Sequence, residues 1–223
     1  MIKAVIFDLD GTLLDTLEDI ALSANFVLEQ FAQKPIAIDA YRFLVGSGAF
    51  ALMQAILPQG DERTHKRALK IFETHYVKQF TQHSKLYADI GKLLSFLQIN
   101  GIKLAILSNK PNKFTKMCAI KYLQNWHFEA VYGIREGIAK KPDPNSVLQI
   151  LEALHVDVNE ALFVGDTKID MQTATNAKMR SIGVLWGFRD KDELLTNGAT
   201  HIVTNPLECI KLIKILKDKN AVV

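Results

Sequence analysis

The sequence predicts an α/β protein. Its core is a doubly wound, mostly parallel sheet, and its first crossover is interrupted by an all-helical insert. Three observations carry this. Short apolar runs rich in β-branched residues, such as Ala4–Phe7, read as strands buried on both faces, as in parallel sheets. From about Tyr87 onward such runs alternate with helical patterns, as βαβ units require. Between the first strand and the second, the pattern is helical throughout and far exceeds the roughly 30 residues of a simple crossover unit.

The elements follow in chain order. Residues 4–7 form the first strand, and two carboxylates, Asp8 and Asp10, come directly after it, then Gly11. Open α/β sheets place ligands just beyond the carboxyl ends of strands. The same residue types also favour plain turns. Leu17, Ile20, Ala21, Ala24, Val27, Leu28 and Phe31 recur at helical steps, and Lys34-Pro35 is expected to end that helix. Short helices over 41–45 and 49–57 flank Gly46-Ser47-Gly48. A long amphipathic helix over 62–82 carries Leu69, Phe72, Tyr76 and Phe80 on one side. A helix over 90–98 turns at Asn100-Gly101. A strand over 102–107 runs into a loop, Ser108-Asn109-Lys110-Pro111, and a helix follows over 113–123. After a strand over 130–132, a loop with Lys140 and Lys141 leads to a helix over 145–154, with Asn145 as its N-cap. A strand over 161–164 ends in Gly165-Asp166-Thr167-Lys168-Ile169-Asp170 and a helix over 169–177. Strands over 180–184 and 201–203 and a helix over 205–216 complete the chain. Lysines 211, 214, 217 and 219 complement the carboxyl end of that last helix.

Residues 1–15 and 85–223 thus read as one α/β domain, and 16–84 as a helical domain inserted after the first strand. Mounted there, the insert overhangs the carboxyl edge of the sheet and is placed to act as a lid.

Composition excludes several classes. The 223 residues are 48% hydrophobic and 23% charged, ordinary for a globular protein. A net charge of +3 is too mild for a nucleic-acid-binding face. The two cysteines, Cys118 and Cys209, lie in helical stretches, so no disulfide framework and a reducing, cytoplasmic setting are expected. Lys3 and Asp8 bound the N-terminal apolar run, unlike a signal peptide, and no apolar run is long enough to span a bilayer. A monomer or homodimer with no membrane partner is expected. Trp126, Phe128, Trp186 and Phe188 read as packing residues. The histidines show no ligand spacing, and His65, His75 and His83 are expected on a solvated helix face.

The polar loops at three strand ends share one edge of such a sheet. They bring together Asp8, Asp10, Asp166 and Asp170 with Ser108, loop N–H groups and a lysine from Lys140-Lys141. Four carboxylates need positive charge. An all-oxygen set without His or Cys suits Mg²⁺ rather than Zn²⁺. A hydroxyl, N–H groups and a lysine suit phosphate oxygens. The set is built to hold a phosphoryl group and to offer a carboxylate that attacks it.

Asp8-Leu9-Asp10-Gly11-Thr12 resembles the first motif of the haloacid dehalogenase superfamily. Ser108-Asn109 is similar to the second, Lys141-Pro142 to the third, and Gly165-Asp166-Thr167-Lys168-Ile169-Asp170 to the fourth. Order and spacing match across essentially the whole chain. The resemblance implies that Asp8 is a nucleophile forming an aspartyl-phosphate, and that Asp10 is general acid and then base. It implies Mg²⁺ held by Asp8, Asp166 and the backbone carbonyl of Asp10, with Asp170 a ligand or the anchor of a metal-bound water. Ser108, the Asn109 N–H, Gly11 and Thr12 would bind phosphoryl oxygens. The family's Lys-Pro pairing selects Lys141 over Lys140 as the charge that neutralises the transferring group.

Branches of the family separate on single positions. Its dehalogenases lack the second acid and its ion-pumping ATPases carry Thr there, so Asp10 favours an alcohol leaving group. Similar sugar-phosphate mutases carry a His where this chain has Ile20. Phosphonate-cleaving relatives need a lid lysine, and none occurs between Pro35 and His65. The lid stretch from Tyr41 to Leu52 and Ser108-Asn109-Lys110-Pro111 look like those of phosphoglycolate phosphatases. That implies a small anionic substrate, approached by backbone N–H groups at Gly46, Ser47 and Gly48 and read by Arg42, the lid's single Lys or Arg between Lys34 and Arg63. The alternatives are another small-substrate phosphatase (nucleotide, sugar phosphate or pyrophosphate), a phosphomutase, or a non-catalytic phosphate-binding protein on the same scaffold.

Overall fold

The computed structural model describes residues 1–218; Lys219 lies outside them. Six strands form a parallel sheet: β1 (Ala4–Phe7), β4 (Lys103–Pro111), β5 (Ala130–Ile134), β6 (Ala161–Gly165), β7 (Arg180–Val184) and β8 (His201–Val203). They lie in the order β5-β4-β1-β6-β7-β8. The chain adds β4 and β5 on one side of β1, then crosses to build β6, β7 and β8 on the other. The β1 edge is therefore a topological switch point, where such sheets form a crevice. Strand β1 is buried along its whole length, which explains its unbroken apolar sequence.

Helices cover both faces. One apolar cluster contains Val5, Phe7, Leu104, Ile106 and Val164 under α4 (Ile90–Ile99) and α9 (Pro206–Asp218). The opposite cluster contains Ala4, Ile6, Ala105, Leu107 and Phe163 under α6 (Asn145–Leu154) and α7 (Lys168–Asn176). Alternate residues of one strand thus feed alternate cores, as the two-residue period demands. Helices α5 (Asn112–Tyr122) and α8 (Lys191–Thr196) complete the layers.

Between β1 and β4 the chain forms α1 (Leu17–Gln30), a 3₁₀ turn (Ile38–Phe43), α2 (Ala49–Ile56) and α3 (Glu62–Gln79). These bury their own core, including Ile20, Val27, Tyr41, Leu52, Met53 and Tyr76. Phe114 and Phe188 reach into that core from the sheet side. The neck is a two-residue antiparallel pair: β2 (Leu14–Asp15) against β3 (Lys85–Leu86). Buried Asp19 braces it, accepting hydrogen bonds from the His83 and Ser84 N–H groups and the Ser84 hydroxyl.

Several boundaries differ from expectation. Helix α1 stops at Gln30, ahead of Lys34-Pro35, because Ala32 adopts φ 53°. Strand β4 continues through Ser108-Asn109-Lys110-Pro111 with an irregularity between Leu107 and Pro111. Pro144, not Asn145, is the N-cap of α6. His65 is buried, and its Nε2 donates to the Leu57 carbonyl at 2.9 Å. His75 stacks on Phe26 with ring centroids 4.2 Å apart. Cys118 and Cys209 are free and buried. No helix among the described residues is long and apolar enough to cross a membrane.

Candidate active site

Register sets the site. Phe7 pairs with Ile106 of β4 and with Val164 of β6, so Asp8, Ser108 and Asp166 lie within one residue of a common level along the sheet. The Asp8 N–H still donates to the Val164 carbonyl at 2.9 Å, which anchors the backbone behind the carboxylate. Gly11 then reverses the chain at φ +87°. A Cβ there would stand 2.3 Å from Asp166 Oδ2, so both conformation and space demand glycine.

Asp8, Asp166 and Asp170 each contribute one oxygen to a buried group whose members lie within 4.8 Å of one another. Lys141 Nζ sits 2.8 Å from Asp8 Oδ1 and 2.6 Å from Asp170 Oδ1. Asp166 Oδ1 accepts from the Thr12 hydroxyl at 2.9 Å, and its Oδ2 accepts from the Phe188 N–H at 2.8 Å. Asp170 Oδ2 accepts from the Thr167 N–H at 3.0 Å and hydroxyl at 2.8 Å. Lys141 thus pairs with two of the three buried carboxylates, and Asp166 rests on neutral donors alone. Burial, partly offset by Lys141 and reinforced by Asp170, pushes Asp8 up to about 7. Burial, with Asp170 and Asp8 adding to it, holds Asp166 well above the usual carboxylate range. Burial also works against the Lys141 ammonium, but Asp170 and Asp8 outweigh it and hold its pKa above the ordinary lysine value.

Whether these residues fit a metal follows from the same geometry. Asp8 Oδ1 lies at ion-pair distance from Lys141 but has no well-aligned hydrogen-bond donor. The group is all oxygen and carries more negative charge than one lysine balances. A hard divalent cation fits it; Zn²⁺, which prefers nitrogen and sulfur, does not.

Asp10 turns away from this trio. Its carboxylate accepts from Lys110 Nζ at 2.9 and 3.1 Å and from the Thr16 hydroxyl at 2.7 Å. The Lys110 ammonium lies 4.7 Å from the centre of the Tyr76 ring. Burial opposes its charge, but Asp10 outweighs burial and keeps its pKa well above the ordinary value. Lys110 is not legible as a site residue in the sequence, because its partner is 100 positions away. The signal available was a lysine inside a motif with no role assigned to it.

A cavity, open to solvent, lies between the helices and this edge. Asp8, Asp10, Ser108 and Asn109 line it from the sheet, and Gly46 and Gly48 from the helical side. At Gly48 (φ +94°) a Cβ would stand 2.9 Å from the Asn109 carbonyl, so this loop approaches the site backbone to backbone. The Asn109 amide donates to the carbonyls of Gly46 at 3.1 Å and Lys141 at 3.0 Å, which links the two. Ser108 Oγ accepts from the Lys110 N–H at 3.2 Å.

Four expected residues are placed differently. The Gly11 N–H donates to the Leu14 carbonyl at 2.8 Å and the Thr12 hydroxyl to Asp166, so these phosphate donors are engaged elsewhere. Neither Arg42 nor Ser47 lines the cavity. Arg42 donates to the Gly187 carbonyl at 3.2 Å, and Arg189 returns the contact by donating to the Val45 carbonyl at 3.2 Å. The Ser47 carbonyl accepts from Lys140 at 2.6 Å. The two neighbouring lysines thus divide: Lys140 holds the helical loop, and Lys141 faces the acids.

Comparison with known proteins agrees with this geometry. Residues 5–184 match the family described as haloacid dehalogenase-like hydrolase. The chain is 31% identical over 186 residues to a phosphoglycolate phosphatase of Aquifex aeolicus, covering 83% of this chain and 86% of that one. It is 28% identical over 221 residues to a phosphoglycolate phosphatase of Vibrio parahaemolyticus, covering 96% and 97%. Among solved structures, a predicted phosphatase from Clostridium acetobutylicum superposes with a TM-score of 0.87 at 28% identity, covering 97% of this chain and 99% of that one. The doubly wound sheet, the acidic edge and these matches converge: the chain belongs to the haloacid dehalogenase-like hydrolase family and is a phosphatase of that family.

Proposed function

We propose that this phosphatase is a Mg²⁺-dependent phosphate-monoester hydrolase that works through an aspartyl-phosphate on a small phosphorylated metabolite, 2-phosphoglycolate being the substrate favoured. One observation carries the reading: a carboxylate, Asp8, stands at a strand end beneath a cavity, with Lys141, Asp166 and Asp170 gathered on it. The named substrate of the two relatives supports the choice of phosphoglycolate.

In this mechanism an Asp8 oxygen forms a bond to phosphorus as the bond to the leaving oxygen breaks. Asp10 gives that oxygen its proton. It then takes a proton from a water that attacks the phosphorus, which releases phosphate and restores Asp8. Lys141 holds the attacking carboxylate and neutralises charge on the transferring group. Ser108 and the Asn109 N–H bind phosphoryl oxygens. Asp8, Asp166 and the Asp10 carbonyl, with Asp170 directly or through water, are the residues that would hold Mg²⁺. When bound, that ion supplies Lewis-acid stabilisation of phosphoryl charge. Residues 16–84 serve as a cap over the cavity, hinged at the β2–β3 neck, and residues 1–15 and 85–223 as the catalytic core.

The test is phosphate release across a panel of phosphorylated metabolites, with 2-phosphoglycolate, nucleotides, pyrophosphate and sugar phosphates included. Turnover is expected to stop with a chelator and in Asp8→Asn. Full turnover by Asp8→Asn on a generic aryl phosphate would falsify the mechanism. Phosphate exchange between sugar phosphates without net release would instead favour a mutase.

A further inference from the structure

We propose that Lys110, with the Tyr76 hydroxyl beside it, is the specificity-determining pair that binds a second anionic group of the substrate, a carboxylate placed a few atoms from the phosphoryl group. This rests on the phosphatase reading above and names what that same cavity selects.

Lys110 is the single basic residue among those lining the cavity. It is 7% exposed, and its head group reaches Asp10, so the charge sits at the inner wall, close to the reacting centre. Arg42, the basic residue the sequence offers for this task, is turned onto the Gly187 carbonyl outside the cavity. The second observation concerns its neighbour. Tyr76 also lines the cavity and is 1% exposed, and its buried hydroxyl, beside Lys110 and Cys118, has no well-aligned hydrogen-bond partner. Buried hydroxyls are normally hydrogen-bonded, and a carboxylate oxygen seated beside this one would accept from it.

The remaining walls discriminate by what they lack. Ile20, Leu52, Phe72 and Phe114 are apolar, so away from Ser108 and Asn109, which the phosphoryl group occupies in the proposed mechanism, these walls offer a polar but uncharged substrate tail no side-chain donor. A carboxylate would meet an ammonium and a phenol hydroxyl, and charge-assisted hydrogen bonds are the stronger kind. It would also compete with Asp10 for Lys110. The Asp10 carboxylate would then be free to face the leaving oxygen when an anionic substrate is seated.

The experiment compares kcat/KM of the Mg²⁺-loaded protein on 2-phosphoglycolate and on 2-hydroxyethyl phosphate, which has the same carbon count with a hydroxymethyl group in place of the carboxylate. Wild type is expected to favour the carboxylate by about 10–100-fold, the range of one or two charge-assisted hydrogen bonds. Lys110→Met is expected to bring the ratio to within about threefold, mainly through KM for the carboxylated ester, and Tyr76→Phe to reduce it severalfold. Lys110→Arg keeps the charge and should retain part of the preference. Circular dichroism checks the fold of each variant. If Lys110→Met does not fold, Tyr76→Phe and the wild-type ratio decide. A wild type without preference, or a preference untouched by Lys110→Met or by Tyr76→Phe, overturns this assignment while leaving the phosphatase reading intact. No phosphate release from either ester, nor from the wider panel, overturns both.

Discussion

Metal-free protein should lose stability as pH rises through the range where Asp8 ionises, and Asp8→Asn should abolish that loss. The perturbation is removal of divalent ions with a chelator, followed by thermal unfolding from pH 4 to pH 8. Burial is the largest influence on Asp8 and raises its pKa from 3.8 to about 7 despite Lys141. A carboxylate raised in the folded state binds its proton more tightly there than when unfolded. Its contribution is therefore fully present below pH 3.8 and is lost as pH climbs towards 7. The shift is about three units, and each unit is worth about 1.4 kcal/mol, so the loss approaches ~4 kcal/mol. For a chain of this size that is roughly 8–16 °C in Tm. Asparagine mimics the neutral acid. The Tm of Asp8→Asn minus that of wild type should thus grow by about this amount between pH 4 and pH 8. Adding millimolar Mg²⁺ at pH 8 should close most of the gap by stabilising wild type. A difference between the two proteins that does not change with pH, or a wild type more stable than Asp8→Asn at pH 8 without metal, would refute the reasoning.

Other perturbations test other parts. Lys141→Met should lower kcat by about 100–1,000-fold while Lys140→Met changes it little, since only Lys141 touches Asp8; steady-state kinetics of the pair reads this directly. Gly11→Ala should destabilise by more than ~2 kcal/mol in chemical denaturation, because the added methyl meets Asp166 and the backbone is left-handed there. Removing both Arg42 and Arg189 by alanine should raise KM several-fold and speed limited proteolysis near the neck, as the helical insert loses two reciprocal contacts with the residues after β7. Asp19→Asn should lower Tm by a few degrees, because buried Asp19 receives three donors from the segment that leads into β3.

Much of the scaffold is legible in the chain because its strands are buried on both faces. Ala4–Phe7 and Ala161–Gly165 announce themselves as apolar runs, and their ends follow from where polarity begins, at Asp8 and Asp166. The acids are legible because each stands at such a boundary. What escapes the sequence lacks a local pattern. Strands β2 and β3 have two residues each, too few for any period to show. Helix α8 is six residues long, shorter than the window that periodicity needs, although Asp190 caps it. Strand β4 runs on through Ser108 and Pro111 because its neighbours, not its own composition, hold that end in the sheet. The contacts of Lys110 and Arg42 are not legible in the sequence for a related reason. A long flexible side chain takes its role from whichever carboxylate or carbonyl the fold brings near, and Asp10 and Gly187 are both remote in sequence. His65 was misplaced on a solvated face because the loop that buries it, ending in Gly60, packs back onto the start of α3.

The central claim is that Asp8 becomes phosphorylated in each turnover. Acid quenching of the wild-type enzyme during steady-state hydrolysis, followed by borohydride reduction and peptide mass mapping, tests it most directly. A reducible acyl-phosphate is expected on the peptide that contains Asp8, with Asp8 converted to homoserine. Steady release of phosphate with no adduct on that peptide, or with the adduct on another residue, would contradict it.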